Sequence, residues 1–185
     1  YSEIGSPVYF GEWTIAYKQS AQPLSPASPT NLTATAVSTS QINLQWTDNS
    51  TNEQGFEIER CSGSGCSNFT LVRTVGANTT NWSNTGLLAH ASYTYRVRAF
   101  NASGDSSYSN TATSNTPAVQ RALTVTRSGK GTGTVSGPGI LCGTDCGEHY
   151  DEGSVVTFTA VPDAGSVFVG WSGGGCSGTG VCVIN

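Results

Sequence analysis

Hydrophobic and polar positions alternate with a period of two through much of this chain. Ile42, Leu44 and Trp46 alternate with Asn43, Gln45 and Thr47, which predicts a strand with one buried face and one wet face. Asp48 to Gln54 (DNSTNEQ) is polar throughout and predicts a turn. Phe56 and Ile58 against Glu57 and Glu59 predict a second half-buried strand. Tyr93, Tyr95, Val97 and Ala99 against Thr94, Arg96 and Arg98 predict another. Strands at this spacing, with polar turns and no helical period, predict an all-β fold, a β-sandwich. Leu44, Trp46, Ile58, Tyr93 and Val97 are its expected core.

The pattern changes along the chain. Tyr1 to Lys18 is rich in aromatics, with Trp13, Ile15 and Tyr17 alternating against Thr14 and Ala16. It is too short to bury a core alone and is expected to be the tail of a preceding domain or a docking strand. Gln19 to Pro29 holds three prolines among small polar residues and is expected to be an extended, stiff linker. Residues 30–117 hold the sandwich. From about residue 122 to 185 glycine becomes frequent. There Leu123, Val125, Thr134 and Val135 flank Gly129-Lys-Gly-Thr-Gly133 and predict a β-hairpin. Val155, Thr157, Thr159 and Val161 predict another strand, and Val167, Val169 and Trp171 a third.

Charge and cysteine content narrow the function. Charged residues are 11% and hydrophobic residues 36%, which fits neither a charged disordered chain nor a membrane protein. No apolar run approaches the roughly 20 residues of a spanning helix. The net charge of −4 is mild, and no basic stripe suited to nucleic acid is visible. The six cysteines fall into close pairs: Cys61 with Cys66, Cys142 with Cys146, Cys176 with Cys182. An even count in short local loops indicates disulfides and an oxidising compartment. Zinc would need CxxC-like pairs converging on one tetrahedron, and these spacings are wider. The chain has no methionine and begins at Tyr1 without a charged-then-apolar leader, so it is expected to be a piece of a longer secreted protein.

From about Thr30 to Pro117 the chain resembles a fibronectin type III domain. The carrying residues are Leu32-Thr-Ala, Ile42-Asn-Leu-Gln-Trp46, Gly55-Phe-Glu-Ile-Glu-Arg60, Gly86-Leu87 and Tyr93-Thr-Tyr-Arg-Val-Arg-Ala99. The resemblance implies that Trp46 is the buried tryptophan and Tyr93 the corner tyrosine bonded to nearby backbone. Two departures stand out. Ala89-His90 replaces the usual proline-glycine before the corner, and a cysteine pair staples the loop Ser62 to Gly65, between the third and fourth strands. The loop Asn101-Ala-Ser-Gly-Asp-Ser106 lacks the arginine of integrin-type adhesive loops.

Residues 122–185 resemble the divergent internalin-type B-repeat of bacterial secreted and surface proteins. The carrying motifs include Gly131-Thr-Gly-Thr-Val135, Cys142-Gly-Thr-Asp-Cys146, Tyr150-Asp-Glu-Gly153 and Ala160-Val-Pro-Asp-Ala-Gly-Ser166. Phe168-Val-Gly-Trp-Ser-Gly173 and Cys176-Ser-Gly-Thr-Gly-Val-Cys182 complete them. Members continue past the last cysteine through another strand, so this module is expected to be incomplete at its C-terminus.

Candidate chemistry is sparse. Gly170-Trp-Ser-Gly-Gly174 fits the G-x-S-x-G elbow formally, but that elbow needs a strand–turn–helix with a histidine and an acid nearby. His90 at a strand corner and His149 in a turn read as solvated loop residues. Asp145, Glu148, Asp151 and Glu152 read as a solvated acidic turn, since their spacing matches no calcium loop. Gly129-Lys-Gly-Thr-Gly133 is not a phosphate loop. The sequons at Asn31, Asn49, Asn68, Asn78, Asn81 and Asn101 read as incidental in a chain rich in Asn, Ser and Thr. Trp13, Tyr17 and Trp171 are the candidate binding surface, as exposed aromatics that stack on sugars or dock a protein.

The expectation is therefore a non-enzymatic extracellular module without cofactor or metal. Its expected partners are protein or polysaccharide at the cell surface, or copies of itself, with no nucleic acid and no membrane span. A carbohydrate-binding accessory region of a secreted hydrolase and a self-assembling filament or pilus-type subunit are the alternatives.

Overall fold

Each alternating stretch needs a partner for its apolar face, and two antiparallel sheets supply it. In this computed structural model, which describes residue 11 and residues 24–185, β1 (Thr30–Ser38), β2 (Gln41–Thr47) and β5 (Asn81–Asn84) form one sheet. The other runs β4 (Thr70–Gly76), β3 (Gly55–Ser62), β6 (Ser92–Asn101), with β7 (Gly104–Asp105) and β8 (Ala112–Asn115) both paired to β6. Leu32, Ile42, Leu44 and Trp46 from the first sheet meet Phe56, Ile58, Tyr93, Tyr95, Val97 and Ala99 from the second in one buried cluster. The ring centroids of Trp46 and Phe56 lie 5.7 Å apart, tilted by 58°, a favourable non-stacked geometry. This is the expected all-β sandwich.

Buried polar groups in the sandwich are largely paired, as the low dielectric requires. Asn84 on β5 donates through Nδ2 to the hydroxyl of the fully buried Tyr95 at 2.9 Å, tying one sheet to the other. At the corner before β6, the Leu88 N–H donates to the Tyr93 hydroxyl at 3.0 Å. Thr116, also buried, donates to the Leu88 carbonyl and accepts from the Ala91 N–H. His90 takes φ +52° here, a left-handed conformation that glycine adopts at less cost. Among the described residues, the buried Nε1 of Trp46 has no acceptor.

Side chains close the exposed edges. The Leu32 N–H donates to Asn110 Oδ1 and the Leu32 carbonyl accepts from Asn110 Nδ2, both at 2.9 Å. The amide of Asn110 thus stands in for a strand residue beside β1. Ser114 Oγ accepts from Ala36 N–H farther along the same edge. On β6, the N–H groups of Val97 and Ala99 donate to the hydroxyls of Ser109 and Ser106. Gly55 is buried at the start of β3, where a Cβ would overlap the Val75 carbonyl oxygen and touch the Phe100 ring. Gly55→Ala is expected to cost about 1–3 kcal/mol by overpacking, read as a lower urea midpoint.

The glycine-rich part builds smaller sheets. β10 (Gly133–Gly137), β11 (Ile140–Cys142), β13 (Val156–Pro162) and β16 (Cys182–Ile184) form an antiparallel sheet in the order β11-β10-β13-β16. β9 (Gln120–Thr124) pairs with β12 (Gly147–Asp151), and β14 (Trp171–Gly173) with β15 (Cys176–Gly178). Ile140, Cys142, Val156, Phe158 and Cys182 are the buried cluster. On β13, Val156 and Phe158 face inward while Thr157, Thr159 and Val161, like Val155 just before the strand, are exposed.

Three sequence expectations are corrected here. The stretch Gly129–Gly133 does not close a hairpin, because β9 pairs with β12 rather than β10. The chain leaving β9 stays beside that partner, with the Val125 N–H on the Cys146 carbonyl at 2.8 Å, so the glycine-rich run is a crossing loop. Val167 to Gly170 joins no ladder. Phe168 turns toward Trp171, while Val167 and Val169 are 81% and 89% exposed. Alternation alone does not make a strand where no neighbour offers its backbone. His149 lies in β12 and not in a turn, on the exposed side.

Candidate functional site

The sandwich presents two outward faces of different chemistry. On the five-stranded sheet, the register sets Glu57 opposite Arg98 and Glu59 opposite Arg96. Both pairs close: Arg96 to Glu59 and Arg98 to Glu57, each at 2.6 Å, with Arg98 also reaching Asp105 at 2.7 Å. The Tyr108 hydroxyl donates to Glu59 at 2.6 Å. The Arg96 guanidinium lies 3.8 Å from the Tyr108 ring centroid and 4.3 Å from that of Phe69, between two π faces that attract a cation. Such cross-strand pairs contribute roughly 0.2–1 kcal/mol each. They also neutralise one another within the network.

Glu59 reports on this network. Burial raises its carboxyl pKa, but the hydrogen bonds from Tyr108 and Arg96 and the charges of Arg96 and Arg98 outweigh that and hold it below the ordinary range. A depressed folded-state pKa gives stability that is present above the unfolded value, about 4.3 for glutamate, and lost as pH falls through the folded one. Glu59→Gln is therefore expected to flatten the acid limb of melting temperature against pH below about pH 4.3. An unchanged acid limb would remove Glu59 from the account.

The cysteines close three loops. Sγ atoms are bonded in Cys61–Cys66, Cys142–Cys146 and Cys176–Cys182, with Cα separations of 5.9, 4.2 and 5.4 Å. The first staples the connection from β3 to β4. The second joins the end of β11 to the approach to β12, and the third ties β15 to β16. Trp171 is half-buried, packed edge-on against Phe168 at 5.1 Å, and its Nε1 donates to the Gly180 carbonyl at 2.7 Å. Trp13 and Tyr17 lie outside the described residues.

Catalytic geometry is not assembled among the described residues. Ser172 sits in β14, opposite Ser177 of β15, rather than at a strand-to-helix elbow. Glu148 accepts from the His149 N–H, Asp145 from the Gly147 N–H, and Glu152 pairs with Arg121 at 2.8 Å. Among the described residues no three His, Cys, Asp or Glu side chains converge as metal ligands. Among the described residues no helix is long and apolar enough to cross a membrane.

Comparison with known proteins matches residues 27–115 to the fibronectin type III domain and residues 122–183 to the divergent InlB B-repeat domain. An α-amylase of Niallia circulans is 39% identical over 97 residues, which are 50% of this chain and 7% of that protein. The chain thus spans a small fraction of that relative's length. Among solved structures, a fibronectin type III-like protein from Clostridium thermocellum is 27% identical, covering 51% of this chain and 96% of its own, with a TM-score of 0.43. A titin fragment is 25% identical, covering 50% of this chain and 32% of its own, with a TM-score of 0.44.

Proposed function

We infer, from a chain that carries a fibronectin type III domain over residues 27–115 and a divergent InlB B-repeat domain over residues 122–183, that it is a non-catalytic extracellular module. It spaces or displays other parts of a larger secreted bacterial protein and engages partners through its surface. The observation that carries this reading is the closure of all six cysteines into loop staples. Such bonds persist outside the reducing cytosol, and they hold small β-units folded without a ligand or metal. The internally paired charge network on the five-stranded sheet supports it further, since a spacer gains from faces that satisfy themselves.

A second reading makes the chain an accessory region of a secreted polysaccharide-acting enzyme. It is favoured by the 39% identity of half the chain to a short part of an α-amylase, whose remaining length would hold the chemistry. The module reading is tested by the intact mass of the unreduced protein with light scattering. A monomer six hydrogens lighter than its reduced form supports a self-contained stapled module. Free thiols, or a polymer at all concentrations, would overturn it.

A further inference from the structure

Charge in the sandwich is segregated. The strands β1, β2 and β5 contain no Asp, Glu, Lys or Arg, whereas the opposite sheet carries Glu57, Glu59, Arg60, Arg96 and Arg98. On the outward face of the uncharged sheet the register builds two rows. Thr33 lies opposite Gln45 and Gln45 opposite Asn81; Thr35 lies opposite Asn43 and Asn43 opposite Ser83. All six are exposed, and they line a shallow depression of about 400 Å³ together with the exposed Val37 and half-buried Trp82.

The hydrogen-bonding capacity of this face is mostly unspent. Asn43 accepts from Gln41 at 2.8 Å, and Thr33 makes a long contact to the Gln45 carbonyl at 3.4 Å. Among the described residues, the side chains of Thr35, Gln45, Asn81 and Ser83 make no hydrogen bond within the protein. Amide and hydroxyl groups both donate and accept, and so do the hydroxyls of a sugar. An ionic ligand would lack a counter-charge here, and an apolar helix or strand would have to desolvate these groups without return. Members of a row lie roughly 4.8 Å apart across the strands, and the two rows lie roughly 6.7 Å apart along them, a grid that suits successive rings of an extended polymer.

We propose that the outward face of β1, β2 and β5 binds a neutral polysaccharide through Thr35, Gln45, Asn81 and their row neighbours. This goes beyond the module reading, which stands on the staples whatever this face does. The test is co-sedimentation of the full chain with granular starch and with microcrystalline cellulose, against alginate gel as the anionic control. Retention on at least one neutral solid is expected. The triple change Thr35→Ala, Gln45→Ala, Asn81→Ala should weaken it about tenfold or more, since it removes several direct hydrogen bonds. The nearly isosteric pair Gln45→Glu, Asn81→Asp keeps the shape and should weaken it similarly, both variants retaining the parent melting temperature. No retention on either neutral solid would overturn the proposal. So would equal retention on alginate, or retention unchanged in both variants.

Discussion

In reducing buffer, residues 122–183 are expected to lose their cooperative thermal transition near room temperature while the sandwich keeps its own. The glycine-rich part buries only Ile140, Cys142, Val156, Phe158 and Cys182, and two of these five are cystine halves. A domain of about 60 residues is stabilised by roughly 3–9 kcal/mol at ordinary values per residue. Each short staple contributes about 2 kcal/mol in the chain-entropy treatment. Opening both removes about 4 kcal/mol and leaves thiols where the bridges filled the core. Cys61 is buried but lies outside the sandwich's core cluster, so opening Cys61–Cys66 should weaken the sandwich by about 2 kcal/mol without abolishing its transition. Calorimetry with and without a phosphine reductant reads this directly. Two transitions unmoved by reductant would sink the idea.

Phe56→Ala is expected to cost the sandwich about 3–5 kcal/mol, a large share of the 5–15 kcal/mol that holds a typical domain folded. Phe56 is 0% exposed, on a strand paired on both sides, and packed against Trp46. Its removal leaves a cavity that two hydrogen-bonded sheets cannot collapse to fill. At a urea slope of about 2 kcal/mol per molar, the midpoint should fall by roughly 2 M. Phe56→Leu, which keeps most of the volume, should lose less than half as much. A fall of under about 0.5 M for the alanine variant would mean that the core relaxes around the gap.

The strands β2, β3 and β6 were legible because each has one face in a core and one in water. A period of two in polarity then follows from the pleat itself. The same signal misled in one place and was silent in another. Val167, Phe168 and Val169 alternate in environment as a strand would, yet no ladder reaches them, and pairing is a property of the neighbour as much as of the segment. Around β13 the residues Val155, Thr157, Thr159 and Val161 are as β-prone as the buried Val156 and Phe158, so alternation did not say which set is inward. The partner of β9 was illegible because β12 and β10 both lie within reach, and long-range hydrogen bonds decide between them. The uncharged face was invisible in one dimension. It exists only when β5, some 40 residues downstream of β2, is set against it in register. Trp13 and Tyr17 keep their standing as sequence expectations.

Asn110 and Ser114 carry a consequence for life in a longer chain. Domains joined by short linkers experience one another at effective concentrations in the millimolar range, where an open strand edge would recruit its neighbour. Along β1 that vacancy is filled from within: a side-chain amide completes both backbone groups of Leu32, and a serine takes the N–H of Ala36. Sandwiches finished in this way can be threaded in series without exchanging strands, because each arrives with β1 already spoken for.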